Sequence, residues 1–502
     1  MPTSKQQMAN TRLAILRRKA HAALAAREDD AAWSSISEML NIDMDDPQGL
    51  YMAGVFMRHK GHSGVAAQMF RRCVSLETKF PNPWMHFGAC LHDIHMYDEA
   101  IEVFELLRKM IPKEPQVYAN LAASHVQKGE FQLALSFANE ALNLNPGHRN
   151  AKAIKSLACL GLERWKEGFE DYSNLYGGQI KIRTYCQPEE PEWDGTPGKT
   201  VVIQSDQGIG DEIRYASILA ELARDCKQVI LDCHPKLESV FRRAFPGIAV
   251  HRTKKLKEGV SWLGDHKIDA RYHISGIGRF YRHSNEDFPR KPYLVPDADL
   301  RQKWKAALAD LPRPLVGLAW QGGSTTTGRE LRSTRLAQWA PMVEGGGTFV
   351  DLSYHDSTAE VAAFSMKEHI YRPQVDASNY DDTLALIAEL DLVVCVPTTA
   401  MHAAGAIGKP VWVLVPPYTP WEFGLYREDM IWYSPGLVKS YRSKTSDFTD
   451  TIDKMAIDYA ISHDRARSTA TPRLHRVAEF DHPPREQASE DYATDPAAVT
   501  HY

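Results

Sequence analysis

Small and bulky residues recur along the first third of the chain with a regular spacing. Pro47, Pro81 and Pro115 lie 34 residues apart, and the residues after each proline fall into register. Small residues at two places in the period allow two antiparallel helices to approach closely, and bulky residues at a third place fill the space between pairs. These residues are, at the fourth place, Leu50, Trp84 and Tyr118, at the eighth Gly54, Gly88 and Ala122, and at the twentieth Ala66, Ala100 and Ala134. The pattern predicts a stack of helix pairs.

This spacing and these residue types resemble the tetratricopeptide repeat. Weaker copies of the pattern begin at Leu13 and Arg149, so we expect five helix pairs over 11–178, with the outer two serving as end caps. The resemblance implies a curved solenoid whose concave groove holds an extended segment of a partner protein. A spacer or a dimerisation device is the alternative role for these repeats.

Beyond residue 178 the hydrophobic pattern changes to short apolar runs separated by helical stretches. Such alternation is typical of parallel, doubly wound sheets, so the predicted fold is multidomain, an α-solenoid followed by two Rossmann-like α/β lobes. The runs predicted as buried strands are 200–206, 228–233, 249–253, 314–320, 347–353, 391–396 and 410–416. The predicted units are a linker over 179–199, a first lobe over 200–296, a connection over 297–312, a second lobe over 313–446, a helix over 447–465 that crosses back to the first lobe, and a disordered tail over 466–502.

Composition and charge narrow the class of protein. The 502 residues suggest about three folded units. The chain has 59 Lys and Arg against 64 Asp and Glu, and the net charge of -5 argues against a nucleic-acid partner. No apolar run approaches the ~20 residues that span a bilayer, and the N-terminus lacks the features of a secretory signal. Seven dispersed cysteines without a CxxC pair are typical of reduced thiols, so we expect a cytoplasmic protein.

The α/β part resembles the heptosyltransferase-like glycosyltransferases, and more closely their bacterial relatives fused to tetratricopeptide repeats. The segments that carry this resemblance are GIGDEI (208–213), VGLAWQGG (316–323), RELRSTRLAQW (329–339) and the run from Tyr380 to Pro416. The resemblance covers about 200–440 and implies the two-lobed glycosyltransferase-B fold, with a sugar nucleotide bound in the C-terminal lobe and no metal or other cofactor. Relatives with repeats include flagellin-modifying enzymes, whose repeats recognise the protein acceptor.

Seven residues of the second lobe are candidates for binding the donor. They are Gln321, Arg329, Arg332, Thr398, Thr399, His402 and Trp421. The two threonines and the histidine lie where a strand turns into a helix, and the amide groups and dipole of a helix N-terminus suit a phosphate. The arginines, with Arg335 beside them, could neutralise a leaving nucleotide as Mg²⁺ does in other transferase folds. Threonines that cap the helix, a packed histidine and surface arginines are the alternatives.

Other positions flank this donor site. Gln321 is followed by Gly322 and Gly323 at a strand end, where small residues permit close approach of a ligand to the backbone. Trp421 and Glu422 follow the last strand of the resemblance and could border the base or sugar of the donor. A purely structural role for this aromatic residue is the alternative.

Asp211 is the candidate catalytic residue. The resemblance places it at the position of the family's catalytic aspartate, where a carboxylate could accept the proton of the acceptor hydroxyl. Its place at a helix N-terminus favours the ionised form, and helix capping is the alternative role. Gly208, Gly210 and Glu212 complete this acceptor-side loop, with Glu212 as the reserve candidate for the base.

One departure from the heptosyltransferases limits what the resemblance implies about the donor. Those enzymes carry Asp-Thr after the strand at 391–396, where this chain has Pro397 and Thr398. The sugar and the nucleotide are therefore not carried over. We expect an inverting, metal-independent transfer from a nucleotide sugar to a Ser or Thr hydroxyl of a protein bound by the repeats, with flagellin as one candidate. A transferase acting on lipopolysaccharide or another glycan, and a catalytically inactive scaffold, are the alternatives.

Overall fold

Helix pairs make up the first third of the chain, as the repeat pattern predicts. The computed structural model describes residues 4–76, 79–170, 172, 190–205, 208–252, 261–323, 329–417, 420–425 and 427–470. The helices of this part are α1 (Ser4–Ala26), α2 (Asp29–Ile42), α3 (Pro47–His59), α4 (Ser63–Leu76), α5 (Pro81–Asp93), α6 (Tyr97–Met110), α7 (Pro115–Gln127), α8 (Phe131–Leu144), α9 (Arg149–Gly161) and α10 (Trp165–Glu170). No helix within the described ranges combines the length and the apolar character needed to cross a membrane.

Proline and glycine at fixed places explain why these pairs form. Pro47, Pro81 and Pro115 lie in the first turn of α3, α5 and α7, where the missing amide hydrogen costs no helical hydrogen bond. A Cβ added at Gly54 would lie 2.7 Å from the ring of Phe70, so only glycine lets this phenylalanine of α4 pack directly on α3. The small residues of the repeat therefore do what the sequence pattern predicts. Residues 173–178 of the predicted solenoid lie outside the described residues.

The first lobe contains a four-stranded parallel sheet. Its strands are β1 (Thr200–Gln204), β2 (Gln228–Cys233), β3 (Ala249–Arg252) and β4 (Ala270–His273), in the order β3-β2-β1-β4. Its helices are α11 (Ile209–Ala216), α12 (Leu219–Asp225), α13 (Glu238–Ala244) and α14 (Gly278–Tyr281). Every residue of β1 is buried, as expected for the central strand of a sheet covered on both faces.

The second lobe contains a six-stranded parallel sheet in the order β10-β9-β8-β5-β6-β7. Its strands are β5 (Leu315–Ala319), β6 (Thr348–Asp351), β7 (Ile370–Tyr371), β8 (Leu392–Cys395), β9 (Val411–Val415) and β10 (Val438–Arg442). Its helices are α15 (Ala298–Ala307), α16 (Arg329–Arg332), α17 (Ala340–Val343), α18 (Thr358–Ala363), α19 (Asp381–Ala388), α20 (Thr399–Ile407) and α21 (Thr449–Ala470). The prediction of an α/β region with parallel sheets is confirmed.

Each sheet changes the direction of its strand order next to its first strand. In the first lobe β1 lies between β2 and β4, and in the second lobe β5 lies between β6 and β8. Connections that leave such a point to opposite sides open a crevice at the carboxyl ends of the strands, where doubly wound proteins bind ligands. The loop after β1 leads into α11, and the loop after β8 leads into α20. Both loops hold residues that the sequence marks as candidates.

The last described helix stays on the second lobe. Ile452 and Tyr459 of α21 are buried in one apolar cluster with Trp339, and every buried member of that cluster belongs to the second lobe. The prediction that a helix over 447–465 crosses back to the first lobe is therefore wrong. The apolar face of α21 finds its partners on the sheet from which it emerges.

Two predicted boundaries also change. α21 continues to Ala470, so the chain is still helical where the tail over 466–502 was expected to begin. The second half of the predicted linker over 179–199 packs on the first lobe, because the backbone N–H of Trp193 donates to the carbonyl of Arg271 at 2.8 Å and the Trp193 ring is buried. The remaining parts of these two predictions, 179–189 and 471–502, lie outside the described residues.

Candidate functional site

The two lobes meet where α11 packs against α20. A Cβ added at Gly210 would lie 2.9 Å from Cδ2 of His402 and 3.5 Å from Cα of Thr399, so a side chain on α11 would collide with α20. Nearby, the backbone N–H of Tyr293 donates to the carbonyl of Ala406 at 2.9 Å. The structure thus brings the predicted acceptor-side loop and the predicted donor-side helix into direct contact.

Asp211 lies in the first turn of α11 and makes two hydrogen bonds. Its Oδ2 accepts from the backbone N–H of Gly208 at 3.3 Å, and its Oδ1 accepts from Nη2 of Arg214 at 2.9 Å. The first contact is the helix-capping role that was the alternative for this residue. The side chain nevertheless keeps 33% of its surface exposed. Asp211 can therefore cap the helix and still meet a substrate.

Arg214 is the buried centre of this region, and sequence reasoning missed it. Its side chain is only 3% exposed, and its Nη1 lies 3.6 Å from Oε1 of Glu422. The guanidinium carbon is 4.7 Å from the ring centroid of Tyr215, 5.0 Å from that of Trp421 and 5.5 Å from that of Trp432. Two carboxylates and three aromatic rings, from parts of the chain far apart in sequence, thus hold one cation.

Glu422 connects the two sides of the site electrostatically. Burial raises the pKa of its carboxyl, while the cations Arg214 and Arg332 lower it and the carboxylate of Asp211 raises it. The candidate base of the first lobe and a candidate donor-binding arginine of the second lobe therefore both act on Glu422. Asp211 and Arg332 thus both lie close enough to Glu422 for their charges to change the pKa of its carboxyl.

The turn that precedes α20 holds the two candidate threonines. Thr398 occupies the N-cap position with extended backbone, yet its side chain makes no capping hydrogen bond to α20. Its hydroxyl is buried beside the Cys395 thiol. Both Thr398 and Thr399 are half-buried. Helix capping by the Thr398 hydroxyl, one of the alternatives, is therefore not what the structure shows.

His402 is a packed, neutral histidine. Its side chain is buried, and its Nδ1 lies 2.7 Å from the hydroxyl of Tyr433. Burial, and to a smaller extent the charge of Arg214, lowers the pKa of His402 well below its ordinary value. The ring therefore contributes no positive charge to a phosphate site. Its position beside Gly210 makes it part of the contact between the lobes.

The loop after β5 reaches the turn before α20. A Cβ added at Gly322 would lie 2.7 Å from the carbonyl oxygen of Pro397, and the side chain of Arg332 lies directly over Gly323. Gly323 has a φ of +78°, which a side chain at this position would disfavour. The small residues at this strand end therefore permit the close approach that the sequence indicates, although their immediate neighbours belong to the protein.

Gln321 and two arginines complete the donor side. Nη2 of Arg329 donates to Oε1 of Gln321, and Nε2 of Gln321 donates to Glu360 at 3.3 Å. Arg335 is exposed at the start of a short helical turn. Of the three arginines, Arg329 and Arg332 thus lie with the donor-side residues, and Arg335 matches the surface alternative.

Trp421 and Glu212 are both buried. The Trp421 ring lies over Arg214 and between the lobes and the solenoid, with centroids 6.4 Å from Phe169 and 6.3 Å from Tyr172, so it matches the structural alternative and not the rim of a cleft. The Oε2 of Glu212 accepts from the backbone N–H of His234 at 2.9 Å. Glu212 therefore faces the end of β2, and the prediction of a reserve base at this position is wrong.

Comparison with known proteins supports the repeat assignment. The family model described as "Anaphase-promoting complex, cyclosome, subunit 3" matches residues 94–173. Protein FlbA of Caulobacter vibrioides is 27% identical over 394 residues, which cover 74% of this chain and 66% of FlbA, just under two thirds of that protein. Among solved structures, MamA of Desulfovibrio magneticus RS-1 is 17% identical with a TM-score of 0.30, covering 33% of this chain and 92% of MamA. The family model thus falls within the helix pairs that precede the α/β region, which carry the tetratricopeptide-type repeats.

We expect Gly210→Ala to weaken the contact between the lobes. The added methyl group would lie 2.9 Å from His402, whose ring is held by Tyr433, so overpacking should lower the free energy of unfolding by about 1–3 kcal/mol. Denaturant titration measures this change. Gly247→Ala is the matched control, because no atom lies within 4 Å of its added Cβ. Equal stability of both variants would mean that α11 and α20 do not approach this closely.

Proposed function

We propose that this protein is an inverting, metal-independent glycosyltransferase of the glycosyltransferase-B fold that modifies a protein acceptor. The observation that carries the proposal is the meeting of two strand-to-helix turns. Asp211 follows β1 of the first sheet, Thr398 and Thr399 follow β8 of the second, and α11 packs directly on α20. A carboxylate on α11 and the N-terminus of α20, on helices that touch between two doubly wound sheets, suit transfer of a group away from a phosphate.

The proposed reaction is a single displacement. The oxygen of the acceptor hydroxyl forms a bond to the anomeric carbon while the bond from that carbon to the donor's phosphate oxygen breaks, with inversion at the carbon. The carboxylate of Asp211 accepts the hydroxyl proton. Proton transfer comes late, when positive charge has developed on the sugar.

Groups of the second lobe would stabilise the leaving phosphate. The first amide groups of α20 have no helical partners and carry the positive end of the helix dipole. Arg332 adds a full positive charge, which acts on the carboxyl of Glu422. These groups replace the charge that a metal ion supplies in other transferases. The sugar and the nucleotide remain outside this proposal, because no residue in the site selects them.

The repeats would recruit the acceptor. α3 and α5 line a groove of about 310 Å³ that contains Val55, Arg58, His59, His86 and Asp93. The groove is mainly polar and carries charges of both signs beside Val55, which suits an extended segment of protein. We therefore propose a Ser or Thr hydroxyl of a bound protein as the acceptor, and flagellin is the acceptor that the resemblance suggests.

Donor binding can be tested through thermal stability. A sugar nucleotide that binds should stabilise the protein by about 2.7 kcal/mol at a concentration of 100 times its Kd. We expect Arg332→Gln to weaken this binding roughly ten- to hundredfold, because a hydrogen bond to a charged group is lost. Arg335→Gln is the matched control on the same loop, and it should respond to the donor like the unchanged protein. Equal donor binding by both variants would remove Arg332 from the donor site.

The acceptor is tested by intact mass. Candidate acceptors purified from cells with and without this protein should differ by the mass of one or more sugar residues, and incubation with the protein and its donor should restore the mass. An added mass on a glycan instead of a protein would favour the glycan-directed alternative. A protein that binds none of a panel of sugar nucleotides would match the inactive scaffold.

A further inference from the structure

A chain of hydrogen bonds joins the solenoid to the candidate base. Nη2 of Arg214 donates both to Asp211 at 2.9 Å and to the hydroxyl of Tyr215 at 3.3 Å. The Tyr215 hydroxyl in turn donates to the hydroxyl of Tyr172 at 3.0 Å. Tyr172 follows α10, the last helix of the solenoid, whereas the other three residues belong to α11 of the first lobe. Of these three contacts, the one between Tyr215 and Tyr172 crosses the boundary between the first lobe and the solenoid.

The members of this chain are held firmly. Tyr172 is 3% exposed, and its ring lies among Phe169 at 5.8 Å, Trp421 at 6.3 Å and Tyr215 at 6.5 Å. Burial raises the pKa of Tyr215 well above its ordinary value, so its hydroxyl stays protonated and keeps donating to Tyr172. The end of the chain at Asp211 is the part that solvent reaches. We call the packed aromatic residues Phe169, Tyr172, Tyr215 and Trp421 the joint between the solenoid and the lobes. The hydrogen bonds that begin in this joint therefore restrict the orientation of the accessible Asp211 carboxylate.

We infer that Tyr172 is a positioning residue of the site. Its hydroxyl accepts from the Tyr215 hydroxyl and so fixes the orientation of that group. The Tyr215 hydroxyl accepts from Nη2 of Arg214, and the position of Nη2 in turn sets the orientation of the Asp211 carboxylate. The inference rests on the proposed function, in which Asp211 is the base. If the inference holds, a residue of the solenoid completes the site. Without Tyr172, the Asp211 carboxylate on the first lobe would have a less well fixed orientation.

Kinetics of Tyr172→Phe test this inference in the full chain. Removing the hydroxyl leaves the ring packed, so KM for the donor should stay unchanged while kcat for transfer falls roughly three- to tenfold, the effect of one lost hydrogen bond. Tyr459→Phe is the matched control, since Tyr459 is equally buried and its hydroxyl donates to the Gly346 carbonyl at 2.7 Å away from the site.

The loss of kcat must be assigned to the right carboxylate. Glu422 is the other carboxyl beside Arg214, with its Oε1 3.6 Å from Nη1, so kcat is measured again with Tyr172→Phe in a Glu422→Gln background. A loss of kcat that persists there acts through Asp211. A loss that disappears there acts through Glu422 and overturns the inference.

Outcomes for the inference and for the proposed function can be told apart. If Asp211→Asn keeps full transfer, the proposed mechanism falls together with the inference. If Asp211→Asn is inactive while Tyr172→Phe keeps the kcat of the unchanged protein, the inference alone falls. It also falls if Tyr172→Phe and Tyr459→Phe lower kcat and the melting temperature equally, because the role of Tyr172 is then one of stability.

Discussion

Asp211→Asn is expected to lower the rate of sugar transfer about 10²–10⁴-fold, the usual contribution of a general base. Asparagine has the same shape, and its amide oxygen can still accept from Gly208 or from Arg214. It cannot accept the proton of an acceptor hydroxyl. Donor binding, measured by thermal shift, should remain, because the donor-side groups lie on the second lobe. The change therefore separates chemistry from binding.

Stability must be followed in the same variant. Arg214 loses one of its two carboxylate partners, but Glu422 stays 3.6 Å from its Nη1, so we expect the melting temperature to fall by only a few degrees. Asp265→Asn, an exposed change on the same lobe, is the control and should leave transfer unaffected. Transfer at the normal rate by Asp211→Asn would remove this residue from the mechanism.

Phe169→Ala is expected to cause the largest loss of stability, about 3–5 kcal/mol for a buried phenylalanine. The ring is 1% exposed and fills the space over Gly278, where an added Cβ would lie 2.6 Å from its Cε1. It also packs edge-to-face on Trp421 of the second lobe. Calorimetry should show that the solenoid and the lobes unfold less cooperatively. Transfer to a protein acceptor should also fall, because Tyr172 loses the contact with the Phe169 ring.

Phe104→Ala provides the matched comparison. Phe104 is also 1% exposed, but it packs inside the solenoid against Gly88. Its removal should destabilise the repeats by a similar amount while the joint and the transfer of sugar to water are preserved. If both variants affect the lobes equally, the joint around Phe169 does not couple the units in the way the packing indicates.

The joint also changes how the repeats should be deleted. Removal of all residues up to 178 would take away Phe169 and Tyr172, which belong to the same apolar cluster as the core of the lobes. A loss of activity would then report a damaged joint as well as a missing groove. Changing the groove residues Arg58 and Asp93, which form an ion pair at 3.0 Å, tests recruitment of the acceptor without touching the joint.

The sequence predicts most of the architecture because its patterns are local. Proline every 34 residues locates the helix pairs, and continuous apolar runs locate the central strands. β4, β7 and β10 escape prediction for physical reasons. β7 has two residues, and β4 and β10 are short segments in which half-buried side chains interrupt the buried ones. Strands at or near the edge of a sheet need less apolar surface, so their sequences are less distinctive.

The candidate site was predictable only where a motif reaches it. Asp211 and Thr399 follow strands, and parallel strands place such residues at one edge of a sheet. Glu212 was misplaced because one residue along a helix is a rotation of about 100°, which turns it towards β2. Arg214, Tyr215 and Tyr172 could not be found, because their contacts arise from packing between three separate units.

The rigid joint has a geometric consequence for the proposed acceptor. If the solenoid is fixed to the lobes through Phe169, the groove between α3 and α5 stands at a constant distance from Asp211. A chain anchored in that groove can then deliver to the base only those hydroxyls that its own intervening length allows. The residues that are modified would then be chosen by the number of residues that separate them from the anchored segment, and much less by the amino acids around them.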